Sequence, residues 1–409
     1  MADISFGTAE PRDLDVLAEL CSRCLGIGLD HFAARLRNDP VFLPGGFLVA
    51  RDEGRIVATV HACGFELVFG SARVPCGGIG NVSTDPAYRK RGLARRLLDD
   101  AHGLMRARGL PVSVLTTGIQ DFYRPMGYEV WPHIETHLLK LRPPTGAGPG
   151  PRVRRIDFGR DRAALLAVRE NYCRGFVGTI AADEGRWSRQ PAWTALYPKE
   201  DPALALTAED ESGKPVAYLR ATADPERTWS KVLEFGAAAG ADEAVRTLGR
   251  GYLREAFVRG VRGLQFPAPC REIEAALAPF AEATVPVTAD YLMLRIADLA
   301  GFLRGLSSEL SARAAAGKAG AGRAVIVYGD QSALVRAAVG HVEIEPVPPG
   351  GDTPRAVLEP AQWVEVFGGV KPFSAQPFAR RSTVGEREIV LLDAIFPVRD
   401  RVFWDIDAF

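Results

Sequence analysis

Residues 78–109, GIGNVSTDPAYRKRGLARRLLDDAHGLMRARG, constrain the fold of this chain more than any other stretch. An apolar strand ends at Thr84, an Asp-Pro turn follows, and apolar residues then recur every three or four positions from Leu93. That spacing predicts a helix with one buried face. Gly109 and Pro111 predict where the helix ends. The stretch therefore predicts a strand, a basic loop and an amphipathic helix in succession.

The loop between this strand and helix has the composition of an anion site. It reads Arg89-Lys90-Arg91-Gly92-Leu93-Ala94, an R-x-x-G-x-A pattern. The first amides of a helix have no partner within the helix, and the helix dipole makes that end electropositive. Gly92 leaves room for a phosphate near the backbone, and the three cations add long-range attraction. A basic, solvated helix start is the alternative, but the strand, turn, glycine and helix together favour a phosphate site.

The overall composition indicates a globular protein of two or three domains. At 409 residues the chain is longer than one hydrophobic core usually supports. Its 50 acidic and 50 basic residues balance, which gives no electrostatic case for nucleic acid or a membrane surface as a partner. No apolar run reaches bilayer length, and the first residues lack the apolar core of a signal peptide.

Two cysteines, Cys21 and Cys24, form a C-x-x-C on a helical pattern. Because no second pair or nearby histidines accompany them, buried thiols are expected rather than a metal site. His133 and His137 are four residues apart on a strand pattern, where that spacing means one face of the strand, and metal binding is not expected there. We therefore expect a cytoplasmic protein with reduced thiols.

The order of predicted elements indicates a repeated unit. Residues 1–145 read as β-α-α-β-β-β-α-β-α-β-β, with IETHLLKL as the strand that closes the unit. A linker rich in proline and glycine follows, and residues 146–295 run a similar course. In the second copy Asp242 and Glu243 stand where the first has its basic loop. Two carboxylates there would repel a pyrophosphate, so the second copy is not expected to bind the same cofactor.

Residues 296–409 follow a different pattern. ADLAGFLRGLSSELSARAAA predicts one helix, three short strands follow it, and LEPAQWVEVFGG predicts another helix. The final residues are unusually aromatic and apolar for a terminus, with Phe396, Phe403, Trp404 and Phe409. A disordered tail would lack such residues, so we expect the tail to be packed against the rest of the molecule.

The first unit resembles the GNAT superfamily of acyl-CoA-dependent N-acyltransferases. The resemblance rests on Val82-Ser83-Thr84 at the end of a strand, the R-x-x-G-x-A loop, and FYRPMGY at 122–128. The three-part layout is similar to the Eis (enhanced intracellular survival) family. This resemblance implies an α/β (α+β) fold: tandem GNAT folds at 1–145 and 146–295, with mixed, mostly antiparallel central sheets flanked by helices, and a sterol-carrier-like α+β domain at 296–409.

The resemblance also implies roles for particular residues. Main-chain groups of Val82, Ser83 and Thr84 would bind the pantetheine arm of acetyl-CoA, the co-substrate, as an added strand does. The pyrophosphate would be held by Arg89, Lys90, Arg91, Gly92, Leu93 and Ala94, with Thr117 as a further cofactor-binding position. Tyr123 lines up with the family's general acid, and the α-carboxylate of Phe409 lines up with its proposed base. Family members carry an acidic residue just before the last one. Here that residue is Ala408, with Asp407 one step earlier, which bears on substrate preference.

The chemistry of acetyl transfer limits what these groups can do. A tyrosine has an ordinary pKa of about 10 and a thiol one of about 8.5, so complete proton transfer from Tyr123 to the leaving thiolate would cost roughly 2 kcal/mol. Sharing the proton is the more plausible role. A terminal carboxylate, with a pKa of about 3.5, would attract a cationic substrate and relay a proton through water. The alternatives are a core aromatic role for Tyr123 and a hydrophobic anchor for Phe409.

The sequence thus predicts an acetyl-CoA-dependent N-acetyltransferase. By resemblance, it would transfer acetyl directly, in a ternary complex, to a primary amine of an aminoglycoside- or polyamine-like substrate. Asp30, Asp405 and Asp407 are candidates for attracting a cation. The resemblance also implies a homo-oligomer, specifically a hexamer. The alternatives are a protein-lysine acetyltransferase and a non-catalytic acyl-CoA- or lipid-binding protein.

Overall fold

The computed structural model describes residues 4–40, 42–145, 152–196, 199–224, 226, 228–316, 320–338, 340–348 and 351–404. Within these residues the strands form three mixed sheets of eight, seven and four strands. Helices pack on the sheets, and the three sheets follow the order of the three units predicted from the sequence.

The first unit contains the elements that the sequence predicts, in the predicted order. Its strands are β1 (Ile4–Thr8), β2 (Phe42–Asp52), β3 (Arg55–Phe69), β4 (Ala72–Thr84), β5 (Val112–Thr116), β6 (Glu129–Val130) and β7 (His133–Leu139). Its helices are α1 (Leu14–Leu25), α2 (Leu29–Asn38), α3 (Leu93–Ala107) and α4 (Gln120–Tyr123). The apolar stripe predicted on α3 is buried and includes Leu93, Leu97, Leu98, Ala101 and Met105.

The second unit is built around a seven-stranded sheet. Its strands are β8 (Val153–Arg155), β9 (Val177–Ile180), β10 (Leu206–Glu209), β11 (Pro215–Ala221), β12 (Trp229–Ala237), β13 (Gly263–Pro267), β14 (Ala283–Ala289) and β15 (Leu292–Ile296). Its helices are α5 (Arg162–Cys173), α6 (Glu184–Arg189), α7 (Pro191–Thr194), α8 (Asp242–Val258) and α9 (Arg271–Leu277). Two of these strands, β9 and β15, belong to the first sheet.

The first two sheets exchange strands. IETHLLKL was predicted to close the first unit, but β7 pairs antiparallel with β13 and β14 in the second sheet. In return, β15 pairs antiparallel with β5 and β6 in the first sheet. The prediction was wrong because residue alternation along a strand identifies its two faces and not its neighbours. The boundaries at residues 145 and 295 stay predictions.

The internal repeat predicted from the sequence is present in the fold. In the first copy, β4 leads into α3 and then β5, and Cys76–Gly78 pair in parallel with Val112–Val114. In the second copy, β12 leads into α8 and then β13, and Trp229–Lys231 pair in parallel with Gly263–Gln265. Each parallel ladder covers three positions, although the first strand of each pair continues further.

The third unit has a four-stranded sheet with strand order β18-β17-β16-β19. Its strands are β16 (Gly322–Tyr328), β17 (Gln331–Ala338), β18 (His341–Pro346) and β19 (Arg355–Val357). Its helices are α10 (Leu299–Gly305), α11 (Ser307–Ala316), α12 (Pro360–Phe367) and α13 (Glu386–Ile395). The single helix predicted at its start is therefore two helices. Likeness to a sterol carrier stays a prediction.

The tail after α13 packs against the core, as its aromatic residues predict. Phe396, Phe403 and Trp404 are buried, and the Val402 N–H donates to the carbonyl of Val177 at 3.1 Å. The tail thus runs in parallel beside β9. Phe409 lies outside the described residues. In the described part of the chain, the helices are all too short or too polar to cross a bilayer.

Candidate active site

A cavity of about 500 Å³ lies where the end of β4, the start of α3 and the short helix α4 meet. It is lined by Cys24, Leu25, Val82, Ser83, Thr84, Tyr88, Arg89, Lys90, Gly92, Leu93, Ala94, Arg95, Ile119, Phe122 and Tyr123. Nine of the residues predicted to form the site are in this set. The strand, loop and tyrosine that the sequence singled out therefore surround one space.

The end of β4 presents main-chain groups to this cavity. β4 pairs with β5 as far as Gly78 and then continues to Thr84. Within the described residues, the segment after Gly78 does not pair with β5. A strand edge of this kind can bond to an extended chain through its N–H and C=O groups. The pantetheine arm of an acyl-CoA is such a chain, with two amides of its own.

The basic loop has a backbone shaped for an anion. Lys90 has φ +63° and Gly92 has φ +77°, both in the left-handed region, and α3 begins at the next residue, Leu93. Left-handed residues alternating with other conformations turn successive N–H groups toward one point. The start of a 15-residue helix adds its dipole to them. The loop therefore suits a diphosphate.

Side-chain contacts hold the loop in place. The Tyr88 hydroxyl donates to a carboxylate oxygen of Asp52 at 2.6 Å, and the Arg91 guanidinium lies 4.8 Å from the centre of the Tyr88 ring. The Arg89 Nε donates to the Thr84 carbonyl at 3.3 Å. Arg91 is thus engaged with Tyr88 and lies off the cavity wall. Its role in phosphate binding stays a prediction.

Tyr123 is the last residue of α4 and is 6% exposed. Its ring meets Phe122 and Tyr128 edge-on, with centroids 4.9 and 6.1 Å away. Burial among these rings raises the pKa of Tyr123 to about 12. Against a thiol of pKa about 8.5, complete proton transfer would then cost about 5 kcal/mol. Tyr123 is therefore suited to donate a hydrogen bond rather than to give up its proton.

Several residues on the cavity wall were not predicted from the sequence. Cys24 lies there because the last turn of α1 packs on β4, and its thiol donates to the Thr84 carbonyl at 3.4 Å. Ile119 and Phe122 form an apolar rim and are 64% and 40% exposed. The sequence pattern around the C-x-x-C predicted that Cys24 lies on a helix. It did not predict which strand that helix packs against.

Thr117 is a predicted site residue that lies elsewhere. Thr117 is off the cavity wall: its N–H donates to the Tyr291 carbonyl at 2.7 Å, and its hydroxyl accepts from the Ile119 N–H at 3.0 Å. It therefore shapes the segment that leads into α4. Phe409 is outside the described residues, so its predicted role stays a prediction.

The matching position in the second unit carries a different kind of cavity. It is larger, about 910 Å³, and its wall includes the carboxylates of Asp210, Glu211 and Glu243 and one guanidinium, from Arg152. This cavity is large enough for a diphosphate, but its carboxylates would repel the negative charge of that group. The prediction that this copy does not bind acyl-CoA rests on that charge.

His133 and His137 lie on one face of β7, as predicted, on either side of Glu135. His137 Nε2 lies 3.4 Å from a carboxylate oxygen of Glu135. Burial raises the pKa of Glu135, but the neighbouring His133 imidazole and the charge of Lys231 outweigh it and bring the pKa to about 2. The carboxylate therefore serves as an anionic partner for its neighbours.

Comparison with known proteins identifies the first unit. A sequence model of the acetyltransferase (GNAT) domain matches residues 7–131. Two uncharacterized N-acetyltransferases of Streptomyces avermitilis are 30% identical over 152 residues and 28% identical over 193 residues. These alignments cover 36% and 43% of this chain and 36% and 44% of the relatives. The chain thus spans less than half the length of the relatives it matches.

Solved structures share the whole fold. A GCN5-related N-acetyltransferase from Anabaena variabilis superposes with a TM-score of 0.73 at 14% identity, and one from Kribbella flavida with 0.69 at 19%. Eis1 from Mycobacterium abscessus gives 0.68 at 17%. All three cover 100% of this chain, and the chain covers 99% or more of each. At these identities the likeness establishes the fold alone. The chain therefore contains a GNAT N-acetyltransferase domain within a tandem GNAT-like architecture, and domains of this type use acyl-CoA.

Proposed function

We propose that this chain is an acetyl-CoA-dependent N-acetyltransferase that acetylates a primary amine of a small polycationic substrate, aminoglycoside- or polyamine-like. The observation that carries the proposal is the cavity of about 500 Å³, which joins the open edge of β4, the basic start of α3 and Tyr123. Each part suits one portion of the donor: the strand edge its pantetheine arm, the loop its diphosphate, and the tyrosine its sulfur.

The reaction proceeds by direct transfer in a ternary complex. Main-chain N–H groups near Val82 and Ser83 stabilise the oxyanion that forms when the neutral amine attacks the thioester carbon. The C–S bond then breaks, and Tyr123 donates a hydrogen bond to the departing thiolate. The proton lost by the amine passes to a base. In this scheme the residues of the first unit stabilise charge and do not form a covalent intermediate.

We propose the α-carboxylate of Phe409 as that base, or as an electrostatic anchor that attracts the cationic substrate. The direction of the tail supports this: it runs parallel to β9, and Ile180 of β9 lies opposite Leu67 of β3. The tail therefore heads along β3 toward the end of β4. A variant with one glycine added after Phe409 would displace the carboxylate while keeping the ring, and normal activity in that variant would contradict the proposal.

The proposed acceptor is cationic, and the sequence offers three carboxylates as candidates for attracting it. Asp405 and Asp407 are in the tail, and Asp30 is in the first turn of α2. The test is CoA release from acetyl-CoA with a panel of polyamines, aminoglycosides, simple amines and lysine peptides. Turnover of lysine peptides alone would contradict the small polycationic substrate and indicate a protein-lysine acetyltransferase. CoA binding without turnover of any amine would indicate a non-catalytic protein.

Two further properties belong to the proposal. A cytoplasmic location is supported by Cys21 and Cys24, which carry free thiols three residues apart, as expected in a reducing compartment. A homo-oligomer, specifically a hexamer, is implied by the family resemblance alone. Light scattering of the purified chain would measure its mass, and a monomer would rule out the hexamer.

A further inference from the structure

The end of β4 contains a bulge directly beside the cavity. On β3, Thr59 and His61 are separated by one residue, whereas their partners on β4, Ser83 and Gly80, are separated by two. One extra residue therefore lies in β4. Such a bulge bends the strand and turns the groups that follow it in a new direction. The groups that follow it here are the main chains of Val82 and Ser83, which line the cavity.

A side-chain hydrogen bond links the bulge to the neighbouring strand β3. Asn81 has φ +51°, in the left-handed region, which asparagine tolerates better than most residues with a side chain. Its Nδ2 lies 2.9 Å from Nδ1 of His61. An amide nitrogen can only donate, so Nδ1 accepts and the proton of the neutral ring lies on Nε2.

The acceptor of this bond is itself fixed in place. His61 is buried, and the Phe47 ring stacks on it with centroids 3.7 Å apart. Burial, and then the charge of Arg35, hold the pKa of His61 well below its ordinary value. The ring thus stays neutral and keeps its acceptor at physiological pH. Phe47 and His61 form a rigid base on which the Asn81 side chain is held.

We propose that Asn81 and His61 are positioning residues for the oxyanion site. Their hydrogen bond fixes the bulge of β4 and so directs the N–H group of Val82 at the thioester carbonyl. This inference rests on the proposed function, since it assigns the same cavity to acetyl transfer. It adds that the accuracy of the oxyanion site is set from the adjacent strand, by a pair that does not touch the donor.

The test uses two variants that remove the bond in different ways. Asn81→Gly keeps the left-handed backbone conformation at no steric cost but loses the donor. His61→Phe keeps a ring against Phe47 but loses the acceptor. Lys140→Gly is the matched control, because Lys140 has φ +50° and lies at the end of β7. All are made in the full chain, together with the Asn81→Gly/His61→Phe double variant.

The main measurement does not depend on turnover. Calorimetry gives Kd for CoA and for a non-cleavable acetyl-CoA analogue in which a methylene replaces the sulfur. In the unaltered chain we expect the analogue to bind about tenfold more tightly than CoA, since its carbonyl gains a hydrogen bond. In each single variant we expect this preference to fall to about twofold, with Kd for CoA unchanged within twofold. The double variant should lose no more than either single variant.

These outcomes separate the two proposals. If either variant keeps the tenfold preference, or if both lose CoA affinity as much as analogue affinity, the positioning role is wrong. If His61→Phe fails to fold, Asn81→Gly decides alone. Turnover is measured separately, and kcat should fall about tenfold or more in each single variant, because misplaced oxyanion donors lose much of their effect. If the unaltered chain acetylates no amine, the proposed function fails. The ratio of the two Kd values, for CoA and for the analogue, still tests whether the Asn81–His61 bond positions the bulge.

Discussion

Burial decides how Tyr123 can contribute to the transfer. Its side chain lines a cavity whose wall includes the apolar residues Leu25, Leu93 and Phe122. The pKa of Tyr123 is therefore raised to about 12, and the phenol keeps its proton throughout the range in which the amine becomes neutral. Because the phenol stays protonated, it can donate a hydrogen bond to the thiolate at every pH in this range. That role suits Tyr123 better than general acid catalysis, in which it would have to release its proton.

The first prediction concerns Tyr123→Phe. We expect kcat to fall about 100-fold, the lower end of the loss on removing one hydrogen-bond donor to a developing anion, with KM for acetyl-CoA unchanged within twofold. In the unaltered chain, kcat should not decline between pH 8 and pH 10.5 through ionisation of Tyr123, because its raised pKa keeps it protonated below about pH 11. Initial rates of CoA release measure both quantities.

The control for this variant is Tyr328→Phe. Tyr328 lies in the third unit, is also buried, and also has a pKa raised to about 12 by burial, so the same hydroxyl is removed away from the cavity. Its kcat should match that of the unaltered chain. An alkaline decline in kcat near pH 9 that disappears in Tyr123→Phe would instead mean that Tyr123 ionises in the working range.

The second prediction concerns Cys24. Its thiol reaches the Thr84 carbonyl, on the strand edge where the donor is proposed to bind. We expect alkylation of Cys24 by iodoacetamide to slow at least tenfold in the presence of saturating CoA, as followed by mass spectrometry. Cys24→Ser should keep kcat within about threefold, since direct transfer requires no cysteine nucleophile. A loss of kcat as large as that of Tyr123→Phe would indicate a covalent intermediate on Cys24.

At the level of elements, the junction of β4 and α3 combines three features that would each be weak alone. The strand edge is open, the helix begins in a basic loop, and two residues of the loop are in the left-handed region. A helix start with only one of these features would be an ordinary surface element. Their convergence concentrates N–H donors and positive charge at one point, which is why this element decides the affinity for the donor.

The third prediction compares Gly92→Ala with Gly260→Ala. Both glycines have φ +77°, and an added Cβ would meet nothing within 4 Å at either position. The backbone strain is therefore equal, and each variant should lose about 1 kcal/mol of folding stability. Only Gly92 lies in the anion loop, so only Gly92→Ala should raise Kd for CoA, by about tenfold. Denaturant unfolding and calorimetry measure the two effects, and equal CoA affinity in both variants would move the phosphate site elsewhere.

Local elements were predictable from the sequence, and their partners were not. The order of strands and helices in the first unit follows from apolar periodicity and turn residues, and the R-x-x-G-x-A loop identified the cavity wall through a local pattern. Strand exchange was missed because β7 and β15 carry no signal for the sheet that each joins. Cys24, Ile119 and the Asn81–His61 bond were missed for the same reason, because each depends on which element packs on which.

At the scale of the molecule, Trp131 connects the three units. It lies between β6 of the first sheet and β7 of the second, stacks on Phe69 with centroids 5.8 Å apart, and donates from Nε1 to the Gly368 carbonyl at 3.4 Å. Gly368 directly follows α12 in the third unit. The tail is tied to the same place: Arg401 donates to the carbonyls of Pro132 and Gly369, both at 3.0 Å. The segment that leads to Phe409 is therefore anchored where the three units meet.

The fourth prediction, Gly368→Ala, tests this junction. An added Cβ would overlap the indole Nε1 of Trp131 and lie 2.7 Å from the Val364 carbonyl. Neither the buried ring nor the helix end can move freely, so we expect a loss of about 3 kcal/mol of stability. Gly385→Ala is the control, because its Cβ would meet only the flexible carboxylate of Glu388 at 3.3 Å, and it should lose less than about 1 kcal/mol.

Because the overlap displaces the anchor of the tail and leaves the β4–α3 cavity intact, kcat of Gly368→Ala should fall while Kd for CoA stays within twofold. A parallel loss of CoA affinity would mean that the junction supports the donor cavity itself, and an unchanged kcat would mean that the tail does not contribute to the reaction.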